Sequence, residues 1–411
     1  MNLGIDSLPR ACDVLVIGAG PAGGSAALVL ARAGLDVVLI DQHAFPRDKV
    51  CGDGLIPDAH HALRKLGLLD EVMGQAQASG FVGCIGPRGG RIDVPGVLAV
   101  LPRKQLDLIV CRAAAAAGAR MFAPVRFDAP IEENGAVVGA QLHHGDVTRD
   151  VRARWVLLAT GAVPQALIAA GMSSRHTPSG VALRGYVKND AMVGRISALE
   201  VVWHRALTPG YGWIFPCRDG VFNIGVGIAD SHNEHRNGKL TKQEVNLRQV
   251  MSDFQSAYEP ARALMQGGTL LGPMKGAPLR CTLEGARYTR PGLLVVGEAA
   301  GSTYSFTGEG IGKAFETGIH AAESVLTGPA RPEAEVRADY EARLLALKPR
   351  FDLYQRANVV NRHPWLADLL IWRAKRSPRI VKRMSGVLDE TSNPGNLISA
   401  KGIARLFLDR R

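Results

Sequence analysis

At 411 residues the chain is long for one simple domain, and two or more cores are expected. Its 46% apolar and 21% charged residues are those of a globular protein, and no run of 18 or more apolar residues stands out as a membrane span. The formal charge of +11 comes without a recognition motif, which argues against nucleic acid, and the six scattered cysteines form no CxxC pair, which argues against a metal site.

The opening MNLGIDSLPRACD lacks a basic segment followed by an apolar run, so no secretory signal is expected and the cytoplasm is the expected compartment. The first clear chemistry follows in DVLVIGAGPAGGSAALVLARAGLDVVLID. It reads as a strand at 13–17, a glycine turn, a helix at 21–33 and a strand at 36–40. Gly18 allows the tight turn, Gly20 lets backbone approach a pyrophosphate, and Gly23 lets the helix pack closely on the sheet. Ala19, Pro21 and Ala22 complete the phosphate-facing helix start, whose free N–H groups favour an anion. Asp41 closes the second strand where a carboxylate accepts ribose hydroxyls, with Gln42 beside it, and this argues against a 2′-phosphate. The turn alone does not separate FAD from NAD.

FPRDKVCGDGLIPDAHHALRKLGL, residues 45–68, is a loop punctuated by Pro46, Gly52, Gly54 and Pro57, followed by a helix. His60–His61 and His143–His144 read as surface residues without a partnered ligand pattern. Arg103 and Lys104 start a helix, with phosphate contact and a solvated helix start as competing roles. Val125 lies on a short strand, and WVLLATGA brings Thr160 and Gly161 into a turn. Runs between 171 and 285 read as an antiparallel sheet, with a helix from 242 to 265. Within that sheet lies GYGWIFP, where Tyr211, Trp213 and Phe215 alternate and so share one strand face. They either fill a core or wall a pocket.

RPGLLVVGEAAGSTYSFTGEGIGKAFETGIHAAESVL is a strand at 293–296 running into a turn, a loop, and a second helix opened by GEGI. It resembles the second FAD signature of the large flavoprotein superfamily that includes aromatic hydroxylases. There an acid in G-D-A-A-G binds the ribitol or ribose side of FAD. Gly297 and Glu298 take that place here, Glu standing for Asp. Two separated segments on one long cofactor point to non-covalent FAD rather than NAD. Gly308, Gly310 and Ile311 would start a helix whose N–H groups face the flavin, with Glu309 as a cap in the simpler reading. From 362 to the end the chain carries eleven Lys or Arg against four Asp or Glu, interleaved with apolar residues. That suits either an anionic membrane surface or an ordinary solvated helix face.

The PRxKxCGxG-like loop carrying Arg47, Lys49, Cys51 and Gly52, with YxWxFP followed by GxG at Gly225 and Gly227, resembles the geranylgeranyl reductase family of flavoproteins. The resemblance runs from residue 13 to about 330. It implies an α/β fold, α+β overall: a Rossmann-type FAD-binding domain in two parts (1–170 and 286–328) and an antiparallel β-sheet substrate domain (171–285); beyond it, residues 329–411 read as a helical, basic C-terminal region. It also implies that Tyr211 and Trp213 face an apolar substrate with Phe215 on the deeper wall, and that Arg103, Val125, Thr160 and Gly161 lie near the cofactor. Cys51 then contacts the isoalloxazine or donates a proton, against the alternative of an inert thiol. Tyr211, Cys51 or a water is the proton donor.

Three functions follow as expectations. The first is reduction of C=C bonds in an isoprenoid or other apolar substrate by hydride from flavin N5. The second is a monooxygenase using a C4a-hydroperoxyflavin on an aromatic substrate or a tryptophan within a peptide, kept open because SFTGEGI lacks the usual proline. The third is a non-catalytic FAD-bound assembly partner. A peripheral contact with the inner membrane face through the basic tail accompanies the first.

Overall fold

Strand Ala11–Ile17 ends in four consecutive buried residues, because a strand inside a parallel sheet has apolar cover on both faces. In the computed structural model, which describes residues 2–229, 245–327 and 331–393, it sits at the centre of an eight-stranded sheet. Val37–Ile40 and Val147–Leu158 flank it in parallel, and Leu293–Val295 and Arg120–Phe122 extend the parallel set outward. In this register Ile17 lies beside Ile40 and Leu158, and Leu158 beside Val295. The turns at Gly18, Thr160 and Gly297 therefore leave the same carboxyl edge as neighbours, the edge at which open α/β sheets bind ligands.

Helices Pro21–Arg32 and Ile311–Leu326 cross closely on this sheet. A Cβ on Gly318 would stand 2.2 Å from the Ala22 carbonyl oxygen, and one on Gly23 would stand 1.8 Å from that of Gly18. Only glycine permits these contacts, which bring the two helix N-termini to one place.

The second sheet has nine strands and is antiparallel except where Leu199–Val202 runs parallel to Gln77–Ile85. It draws on Gly54–Leu55, Gln77–Ile85 and Arg91–Val100, all before residue 171. Three strands from the stretch before residue 171 thus pair into the second sheet. Leu247–Ala257 and Glu259–Gln266 cover one face through Met251, Phe254 and Leu264. The single helix expected at 242–265 is two helices, and its first residues lie outside the described ones. Asn246 caps the first through the Arg248 and Gln249 N–H groups, and Pro260, lacking an N–H, opens the second.

Glu333–Ala357, Val359–Arg362, Trp365–Ala374 and Pro378–Leu388 form the helical C-terminal region, and the last two lie over strands Gln77–Ile85 and Arg91–Val100. The rest of the basic tail, 394–411, is outside the described residues. No helix among the described residues is long and apolar enough to cross a membrane. One surface assignment is corrected: His60 is only 5% exposed and burial pushes its imidazole down to about 4, so it is a neutral core residue.

Candidate functional site

A continuous cavity of about 710 Å³ starts at the carboxyl edge of the parallel sheet, passes under the aromatic strand, and ends among the C-terminal helices. Of the sequence-predicted residues, Gly18, Gly20, Pro21, Ala22, Asp41, Gln42, Arg47, Cys51, Gly52, Arg103, Val125, Thr160 and Gly161 line it. So do Tyr211, Trp213, Phe215, Glu298, Gly308, Gly310 and Ile311. Ala19, Gly23 and Gly297 stand behind the wall. The Ala19 N–H donates to Asp41 at 3.1 Å, and Gly297, at φ +65°, leaves 2.6 Å between a notional Cβ and Ala22 Cβ.

At the phosphate end, Gly18 adopts φ +105° and the guanidiniums of Arg103 and Arg47 approach Gly20. Arg103 is a buried group, not a solvated helix start. Asp107, one helical turn on, holds it through two hydrogen bonds of 2.7 and 2.8 Å, and Lys104 is exposed. Arg47 bridges Asp41 and Asp107 at 3.1 and 2.9 Å. Burial alone would raise the Asp41 carboxyl, but His43, the Arg47 guanidinium and the Ala19 N–H outweigh it and hold the group below the usual range. The carboxylate keeps acceptor capacity for a hydroxyl. Val125 sits beside it, its N–H donating to the Asp41 carbonyl at 2.7 Å.

These residues fit FAD. Thr160 Oγ1 is buried without a partner among the described residues, the glycine turn leaves a cradle that side chains would fill, and two guanidiniums supply counter-charge for a pyrophosphate. Asp41 and Glu298 would hold the ribose and ribitol hydroxyls. Glu298 accepts from Thr303 Oγ1 at 3.3 Å and lies 3.9 Å from Lys49 Nζ. At the ring end, helix Ile311–Leu326 presents its N-terminus after Gly310, where a Cβ would meet Thr303 Oγ1 at 2.5 Å. Glu309 caps that helix through the Gly312 N–H at 3.2 Å.

The aromatic wall is longer than GYGWIFP suggests. Phe306 stacks on Trp203 at 6.2 Å, and Trp203, Tyr211, Trp213 and Phe215 continue at 6.3, 6.2 and 6.4 Å between ring centres. Gly212 and Ile214 point the other way, onto the covering helices. Pairing places Gly225 opposite Trp213, which explains the GxG element: the indole lies where a Gly225 side chain would be. Trp203 Nε1 donates to Asn361 at 2.8 Å and Asn361 donates to the Phe306 carbonyl at 3.1 Å, which ties the C-terminal helices to the ladder.

Beneath the rings lies a polar network that the sequence did not reveal. Asn223 accepts from Trp213 Nε1 at 2.9 Å and donates to the Cys51 carbonyl and to Asp53, each at 2.8 Å. Tyr186 also donates to Asp53, and Arg184 holds Asp48 at 2.7 Å and the Lys49 carbonyl at 2.8 Å. The loop 47–54 is thereby fixed against the second sheet. Burial, with the Asp53 charge, raises the Cys51 thiol, so it stays protonated. Burial also raises Tyr211, whose hydroxyl donates to the Thr307 carbonyl at 2.5 Å.

Residues 11–262 match the FAD binding domain family. The chain is 33% identical over 334 residues to menaquinone reductase of Mycolicibacterium smegmatis, covering 77% of this chain and 76% of the relative. It is 31% identical over 346 residues to digeranylgeranylglycerophospholipid reductase of Methanoculleus marisnigri, covering 80% and 81%. A geranylgeranyl bacteriochlorophyll reductase-like protein of Thermoplasma acidophilum shares the fold with a TM-score of 0.71 at 23% identity, covering 97% of this chain and 96% of that one. With an FAD cradle built from both ends of the sheet edge and relatives that are reductases over three quarters of their length, the chain belongs to the geranylgeranyl reductase family of FAD-dependent oxidoreductases.

Proposed function

We propose that the protein reduces C=C bonds in the isoprenoid chain of a lipid or quinone, bound end-on in the cavity with one double bond beside the flavin. The carrying observation is the cavity's continuity: the aromatic ladder leads without a break to Val360, Leu370, Ile371, Met384 and Leu388 on the C-terminal helices. Such walls suit a long apolar chain because they exclude water and ask for no hydrogen bonds. A peptide would bring backbone donors and acceptors that those aliphatic walls leave unpaired. Reduced FAD supplies the hydride when bound. Asn223 and Asp53 fix the Cys51 loop, Trp213 and Tyr211 would hold the apolar chain against the cavity wall, and Cys51 and Tyr211, both kept protonated by burial, are the candidate sources of the second hydrogen. An isolated alkene accepts hydride poorly, so placement and proton supply carry the catalysis.

Incubation of the reduced holoenzyme with a polyprenyl lipid or quinone should give a product heavier by two hydrogens per reduced bond. A product that has gained oxygen, or none, would overturn the reading. Ala367 lines the far end of the cavity and is 3% exposed. Ala367→Trp should lower kcat/KM for a long chain about tenfold, leaving a short prenyl substrate and the flavin content little changed, since a few kcal/mol or less separates substrates that differ in apolar contact.

The two helices that close the cavity also present a surface suited to an anionic membrane. Trp365 and Trp372 are 59% and 44% exposed, and Arg376, Arg379, Lys382 and Arg383 are exposed beside them. A basic residue there contributes about 1 kcal/mol at an anionic surface. Flotation with anionic liposomes should fall sharply when these four become glutamine, and unchanged flotation would remove the membrane contact.

A further inference from the structure

We propose that Arg175, with Arg280 packed behind it, builds a second binding site, for a phosphate-bearing anion, in a polar cavity that adjoins the apolar one. This cavity has a volume of about 640 Å³ and shares Tyr211, Gly227 and Gly308 with the first. Arg280 is 2% exposed, and both guanidiniums crowd the same point: a methyl group on Gly285 would lie 3.2 Å from Arg280 Nη2 and 3.3 Å from Arg175 Nη1. Their partners are neutral. Arg175 donates to Thr177 Oγ1 at 3.4 Å and the Pro178 carbonyl at 3.2 Å, Arg280 to Ser173 Oγ at 3.4 Å and the Gly285 carbonyl at 2.5 Å, and Arg280 Nε has no partner among the described residues.

Two adjacent cations, one buried, with no carboxylate at ion-pair distance among the described residues, are costly unless a counter-charge arrives. Burial and the neighbouring Arg175 pull Arg280 below the ordinary guanidinium range, and the charge of Glu298 offsets this only in part. Glu284, the acid on the cavity wall, is already 3.1 Å from Lys348. Ser305, also on the wall, has a buried hydroxyl without a partner among the described residues, and Thr282 lines the cavity at φ +68°, a backbone that a β-branched residue adopts only under constraint. A guanidinium on the wall, its charge reinforced by a second one behind it, and neighbouring hydroxyls match the oxygens of a phosphate group. A prenyl diphosphate or phospholipid head seated here would send its chain past Tyr211 into the apolar cavity. The phosphates of a nicotinamide dinucleotide, as electron donor, have the same chemistry.

The test is calorimetric titration of the FAD-loaded protein with inorganic pyrophosphate. Saturable binding is expected, weakened about tenfold or more in Arg175→Gln and less in Arg175→Lys, with flavin content unchanged and Tm not lowered. Competition then separates the sources: displacement of pyrophosphate by a prenyl diphosphate assigns the site to the substrate head group, and displacement by NADPH assigns it to the reductant. Absence of saturable binding, equal affinity in Arg175→Gln, or displacement by neither competitor would overturn the proposal, whatever the fate of the reductase reading.

Discussion

Gly225→Ala is expected to lower kcat/KM about a hundredfold while FAD stays bound. The added Cβ would stand 2.1 Å from Trp213 Cζ2 and 2.4 Å from Cη2, so the indole must leave its slot. It cannot slide within the wall, because Asn223 holds its N–H at 2.9 Å and Gly52 packs so close that a Cβ there would lie 3.6 Å from Nε1. The open direction is the cavity. The displaced ring would occupy substrate space and free Asn223 from one of the three partners that fix the Cys51 loop. Misplacement by about 1 Å near a reacting centre costs on the order of a hundredfold. Steady-state rates, tryptophan fluorescence and flavin absorbance read the three parts separately. Gly227→Ala is the control, since its Cβ would lie 3.7 Å from the same ring, an ordinary contact. If both variants keep full activity, Trp213 does not shape the productive site.

The residues that sequence reasoning found share one property: their meaning is set by local spacing. The glycine turn at 18–23, Asp41, GEAAG and GEGI sit at fixed offsets from a strand end, and alternation in GYGWIFP puts three aromatics on one face whatever the rest of the chain does. What stayed hidden depends on distance along the chain. Asp53 meets Asn223 from 170 residues away and Tyr186 from 133, and nothing near Asp53 announces either. Trp203 and Phe306 read as isolated aromatics until the fold stacks them. Strands Gln77–Ile85 and Arg91–Val100 joined the second sheet because β pairing is non-local, and period alone does not say which sheet a strand will choose. Pro260 was a signal in plain view: it should have ended the expected helix before residue 265. His60 differs for the opposite reason: a polar residue on a helix reads as exposed, while the fold turns this one inward.

Asp53→Asn is expected to remove a pH dependence of stability worth about 3 kcal/mol. Asp53 is fully buried, and burial raises its carboxyl from 3.8 to about 6, against the opposing pull of Arg184 and the hydrogen bonds from Tyr186 and Asn223. A carboxyl raised on folding stabilises the fold below its unfolded value, and that contribution is lost as pH climbs through the folded one. The stability of the wild type relative to the variant should therefore fall between about pH 4 and pH 7, by about 1.4 kcal/mol for each pH unit separating 3.8 from about 6. Asparagine is the right replacement because residue 53 sits at φ +64°, a left-handed backbone that Asp and Asn tolerate and most side chains do not. Urea unfolding of both proteins across that range, at matched FAD, measures the difference and cancels the other titrating groups. A difference that is flat, or that grows with pH, would mean the ionised form is fully compensated by its partners. If the fall is found, the charge at Asp53 weakens the fold near neutral pH, and its place under Trp213 and the Cys51 loop gives a functional reason for keeping it: an ionised acceptor grips Tyr186 and Asn223 more strongly than a neutral one would.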